Sequence, residues 1–97
     1  MVQLLMTWDV QPGQEDAHIE FIAKTFIPRM VRLGFRLRDV WSTLYGEAPQ
    51  MAVGWLADDQ SQLQALITSK EFTSLREGLE PFVTDFHARV APLDDMF

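Results

Sequence analysis

The residues able to do chemistry in this chain are few and scattered. His18 and His87 are the only histidines. His18 stands between Ala17 and Ile19, near the start of a segment that reads as a helix, and its ordinary reading is a surface helix residue. His87 reads as the end of a second helix, where a partly protonated ring suits the negative end of the dipole. The functional alternative for either ring is a general base or an axial haem ligand. Two histidines so far apart form no metal set, and no helix offers the i, i+4 pair of a zinc site. The absence of cysteine excludes disulfides, zinc–thiolate sites, iron–sulfur clusters and thiol nucleophiles. We therefore expect no structural metal and no cofactor. No serine sits in a G-x-S-x-G setting, and the glycines are isolated, so no phosphate cradle is present.

A second group of candidates is aromatic. Trp8, Trp41, Tyr45 and Trp55 all fall on segments that read as strands. They would either fill the core or wall a pocket, because ligand sites are mostly apolar with a few polar tips. Trp41, Thr43 and Tyr45 are two apart, so a strand presents them on one face. An aromatic, a hydroxyl and another aromatic in that row would grip a flat ligand and orient one polar group. The candidate ligand-binding residues are thus Trp41, Tyr45 and His87, with His87 ahead of His18. A third group is basic. Lys24, Arg29, Arg32, Arg36 and Arg38 are five of the eight basic residues. They read as a solvated face, or, more sharply, as a source of one arginine that holds a carboxylate.

These side chains need elements to position them. Residues 2–10 alternate, with Val2, Leu4, Met6, Trp8 and Val10 on one side, and predict a strand. Gln11-Pro12-Gly13 ends it. Over 14–33, Ile19, Ile22, Phe26, Met30 and Leu33 recur at three and four and predict a helix stopped by Gly34, with a kink at Pro28. Residues 35–46 and 51–57 predict two strands, joined as an antiparallel hairpin. Asp59 and Ser69 read as N-caps of two further helical pieces, the second carrying Phe72, Leu75, Leu79, Phe82 and Phe86 with Pro81 inside the pattern. A last strand is placed at about 87–93. The order is strand, helix, strand, strand, helix, strand. It predicts an α+β, ferredoxin-like βαββαβ domain over residues 1–97, with a four-stranded antiparallel sheet and both helices on one face.

Composition fits that picture. A chain of 97 residues suits one domain. The formal charge of −6 argues against a nucleic-acid backbone as partner. No apolar run approaches the roughly 18 residues of a membrane helix. The N-terminus lacks a basic region and meets Asp9 early, so we expect no signal peptide and a cytoplasmic protein. The helix-free sheet face should be polar in a monomer. Yet Leu5 and Thr7, Val40 and Leu44, and Ala52 and Leu56 oppose the Trp-bearing sets, so both faces are apolar. A second copy of the chain would cover the bare face, and a homodimer is expected.

The stretch Trp41-Ser42-Thr43-Leu44-Tyr45-Gly46, leading into Met51-Ala52-Val53-Gly54-Trp55 and followed by Ser69-Lys70-Glu71-Phe72-Thr73-Ser74-Leu75, carries a resemblance. With the element order it resembles the dimeric α/β-barrel superfamily, most of all the NIPSNAP-type branch and its neighbours. Those neighbours are the antibiotic-biosynthesis monooxygenases and the stress-responsive barrel proteins. The resemblance implies two sheets packed across a twofold axis, with small organic ligands, or haem in some branches, beside the sheet. No catalytic set matches residue by residue, so none is carried over. Three functions stay open: a homodimeric barrel that binds or transforms a small apolar or aromatic molecule without a metal, a non-catalytic structural or interaction protein, and a stand-alone regulatory ligand-binding domain. An RNA-binding βαββαβ module is disfavoured, because Met51-Ala52-Val53-Gly54-Trp55 lacks the basic-Gly-aromatic pattern.

Overall fold

The computed structural model of the chain describes residues 1–43 and 49–92. Leu44 and Tyr45 lie outside the described residues. The elements are β1 (Val2–Val10), α1 (Glu15–Phe21), a π-helical turn (Ile22–Phe26), α2 (Ile27–Leu33), β2 (Arg36–Ser42), β3 (Met51–Ala57), α3 (Gln60–Ile67), α4 (Lys70–Leu79), a 3-10 turn (Glu80–Phe82) and β4 (Val83–Pro92). The strands form one antiparallel sheet in the order β2-β3-β1-β4. This is the ferredoxin-like α+β arrangement that the element order predicts.

The core lies between one sheet face and the helices. Leu4, Met6 and Trp8 of β1 and Met51, Val53 and Trp55 of β3 pack with Ile22, Phe26, Met30, Leu63, Phe72, Leu75 and Leu79. Alternation along the strands delivers these side chains to one face. The caps work as read: Asp59 accepts from the Gln62 amide at 2.8 Å and Ser69 from the Phe72 amide at 3.2 Å. Each leaves one less unpaired donor at its helix start.

The first helix departs from expectation in an instructive way. It has a wide turn, in which the Ile27 amide donates to Ile22 five residues back. An α-helix turns 100° per residue, so a strict four-residue repeat drifts by about 40° at each step. The extra residue in the π turn takes up that drift. As a result His18, Ile22, Phe26 and Met30 are the buried residues of the stretch, while Ile19 is 59% exposed. Pro28 then falls in the first turn of α2, where a missing N–H costs least. His18 is therefore no surface residue; it is 1% exposed.

Two other expectations need correction. Helix α4 stops at Leu79, and β4 begins at Val83 rather than near 87. Phe86 and His87 thus belong to a strand, and His87 is not at a helix end. In β2, the register against β3 shifts between Leu37 and Asp39. That bulge turns Val40 to the helix side, opposite Val53, and Trp41 to the bare side, opposite Ala52. Val40 and Trp41 exchange the faces that simple alternation assigns them.

Candidate functional site

Directly paired residues of neighbouring strands share a sheet face. The register therefore writes out the helix-free face row by row. One row is Trp41, Ala52, Thr7 and His87, from β2 across β3 and β1 to β4. The next is Asp39, Gly54, Leu5 and Arg89, and a third is Arg36, Leu56, Gln3 and Ala91. The pair Trp41 and His87, singled out by residue type, thus stands at the two ends of one row. Three strand spacings separate them, roughly 14 Å. Only Ala52 and Thr7 lie between, so the row is a shallow trough with an aromatic wall at one end and an imidazole at the other. Trp41 is 41% exposed, which is high for so apolar a side chain.

His87 is aimed by its own strand. Asp85 adopts φ 54° where β4 slips in register against β1, and its carboxylate Oδ1 lies 3.2 Å from His87 Nε2. When Nε2–H donates to that carboxylate, the neutral ring keeps its lone pair on Nδ1. Nδ1 is then the atom that would accept a proton from a ligand. Tyr45, the third candidate, falls outside the described residues.

The arginines divide. Arg36 pairs with Asp58. Arg38 lies beside the bulge, donates from Nη1 to Gln3 Oε1 at 3.2 Å, and has Nε 3.3 Å from Asp39 Oδ2. Its guanidinium holds a buried amide of the bare face in place.

The second histidine, discounted from sequence, has the more constrained environment. Trp8 Nε1 donates to His18 Nε2 at 2.9 Å, inside the helix-side core. The neutral ring must then carry its proton on Nδ1, which is buried without a hydrogen-bond partner among the described residues. Burial lowers the affinity of His18 for a second proton below that of an ordinary histidine. A proton on Nε2 would also break the Trp8 bond. The sign follows. The folded ring titrates at lower pH than the unfolded one, so acid favours unfolding. The stability that His18 preserves is fully present above about pH 6.5 and falls as the pH drops below that value toward the lowered folded-state one. We expect urea midpoints to fall between pH 7 and 5, and a His18→Phe variant to show a flatter profile. Superimposable pH profiles for the two proteins would remove this role. The signal for His18 was in the sequence as the four-residue repeat 18, 22, 26, 30, which competes with the Ile19 pattern.

No known sequence family and no curated protein matches this chain. Solved structures do. An uncharacterised NIPSNAP domain protein from Burkholderia xenovorans superposes with a TM-score of 0.71 at 16% identity, covering 94% of this chain and 92% of that one. The chain shares the ferredoxin-like fold of that protein. A dimeric protein of unknown function with a ferredoxin-like fold, from Bacteroides fragilis, gives 0.70 at 9% identity over 95% of both chains. A candidate antibiotic biosynthesis monooxygenase from Nitrosomonas europaea gives 0.68 at 9% identity, over 94% of this chain and 96% of that one. Two of the three branches named by the resemblance, the NIPSNAP type and the antibiotic-biosynthesis monooxygenases, are represented among these folds.

Proposed function

We propose that this protein is a homodimer, closed face to face over its helix-free sheet, that binds a flat, largely apolar small molecule along the Trp41–His87 row. The observation that carries the reading is the row itself. Its ends are an exposed indole and an imidazole held by a carboxylate, and its middle is two small side chains. A flat ligand would stack on Trp41 and lie over Ala52 and Thr7, with a polar end at His87. The dimeric neighbour of the same fold supports the assembly.

In this arrangement Trp41 supplies contact area and plane, and Thr7 supplies a hydroxyl. His87 orients a ligand hydroxyl or takes its proton at Nδ1, while Asp85 stabilises the charged ring that results. The non-catalytic reading, an interaction protein with the same dimer, requires the trough to be filled by the opposing sheet.

A titration series separates the two. Tryptophan fluorescence would be followed while aromatic and quinone-like compounds are added to wild type, Trp41→Ala and His87→Gln. Loss of the stacking surface should weaken binding roughly tenfold. His87→Gln should discriminate against hydroxylated compounds more than against their unsubstituted parents. If no compound in the panel binds wild type, or all three proteins bind alike, the trough is not a ligand site.

A further inference from the structure

A different surface attracts attention by its charge. Helices α2 and α4 flank an open cleft of about 730 Å³, on the helix layer and away from the sheet face just described. Arg29 and Arg32 reach it from α2, and Lys70, Glu71 and Ser74 from α4, with Leu75 among its walls. Leu75 is buried and the charged residues around it are exposed. The protein as a whole carries −6, yet three cations meet one carboxylate here.

The pairing of the basic residues makes the concentration more specific. Lys24, Arg36 and Arg38 each have an acidic partner. Arg29, Arg32, Lys70, Arg76 and Arg89 have none among the described residues, although acidic side chains outnumber basic ones, 14 to 8, and three of those five cations line this one cleft. Holding three cations together costs self-repulsion, which an anion bound among them would relieve. The start of α4 adds to the field. Ser69 satisfies the Phe72 amide, and the positive end of the helix dipole lies beside Lys70.

We infer that the α2–α4 cleft binds a small phosphomonoester, with Arg29, Arg32 and Lys70 around one dianionic phosphate group. The net local charge of three cations and Glu71 matches a dianion. Arginine forks suit phosphate oxygens geometrically, and lysine adds a point charge. The Ser74 hydroxyl donates to a remaining oxygen. The wide mouth of the cleft leaves room for the organic part of the ester. This inference stands apart from the proposed sheet-face site, and the failure of either leaves the other intact.

The test is calorimetric titration of the full chain with inorganic phosphate and, separately, with phenyl phosphate, against sodium chloride at matched ionic strength. Saturable binding of either phosphate probe is expected, and the tighter of the two tells whether free phosphate or an ester is preferred. Each of Arg29→Gln, Arg32→Gln and Lys70→Gln should weaken binding about tenfold, the loss typical of one charge-assisted hydrogen bond. Arg76→Gln, also on α4 but outside the cleft, should bind as wild type. All four side chains are exposed, so these variants should fold, and circular dichroism melts check that. Heats that match those of sodium chloride would overturn the inference. So would equal weakening by Arg76→Gln, which marks a diffuse charge effect, or unchanged binding in the three cleft variants.

Discussion

Alanine in place of Trp8 is expected to remove about 3–5 kcal/mol of stability, the range for deleting a fully buried large aromatic side chain. Trp8 lies on β1, an inner strand of the sheet, and is wholly buried. Its indole stacks on Phe86, with centroids 6.0 Å apart, and meets the edge of Phe26 at 6.2 Å. Truncation opens a cavity shared by β1, β4 and the first helix. It also strands His18 Nε2, a buried acceptor whose donor is the indole N–H. Leaving such a group unpaired costs about 1–3 kcal/mol on its own. Against a total stability of roughly 5–15 kcal/mol for a domain, the variant sits at the edge of folding. The hydrogen-bond part can be isolated. Trp8→Phe keeps most of the ring and removes the donor. Trp55→Phe removes a comparable ring fragment at a site whose Nε1 has no hydrogen-bond partner among the described residues. Urea denaturation at pH 8 should therefore place Trp8→Phe below Trp55→Phe by about 1–3 kcal/mol. Equal stabilities would mean that the Trp8–His18 bond contributes nothing net.

The comparison of these two tryptophans bears on how much of the molecule was legible in its sequence. Alternation along 2–10 and 51–57 correctly gave β1, β3 and their inward residues, because an unbulged strand has a strict period of two. The caps at Asp59 and Ser69 were equally legible, because a single side chain decides them. What failed were the irregularities. The π turn moved the buried stripe from Ile19 to His18, and the bulge near Arg38 carried Trp41 to the opposite face. A local insertion of one residue reverses every later assignment, and composition gives no sign of it. The end of α4 failed for another reason. Phe82 and Phe86 continue a helical spacing, but Pro81 forces a tight turn, and the same two phenylalanines then serve the core from a turn and a strand. For the site, residue type selected Trp41 and His87, and strand register brought them into one row. Neither source alone would have done both.

An arginine in place of Ala52 is expected to convert the proposed dimer to monomer while leaving the fold intact. Ala52 occupies the middle of the Trp41–His87 row, on the face away from the helices. It is half-buried in the single chain, so a longer side chain there extends into open space and not into the core. In a face-to-face dimer the same position is enclosed. A twofold interface repeats each substitution, so two guanidinium groups would be buried together, and Asp39 of the next row is already paired with Arg38. The effective penalty is several kcal/mol for each buried charge. Every 1.4 kcal/mol is tenfold in affinity, so the dimer should weaken by about a thousandfold or more. Light scattering at micromolar concentration reads the change directly. Wild type should give twice the chain mass and Ala52→Arg the chain mass, with matching circular dichroism. Ala23→Arg, on the exposed side of the first helix, should remain dimeric. The substitution also links assembly to the trough. In the proposed dimer a ligand over Ala52 and Thr7 would be enclosed by both sheets, so it would bind the dimer better than the monomer and raise the dimer's apparent stability. The face is more polar than alternation predicts, since Asp39, Arg89, Arg36 and His87 stand on it and the bulge removes Val40. A monomeric wild type, or an Ala52→Arg variant that stays dimeric, would mean that this face is not where two copies meet, and the enclosed trough would go with it.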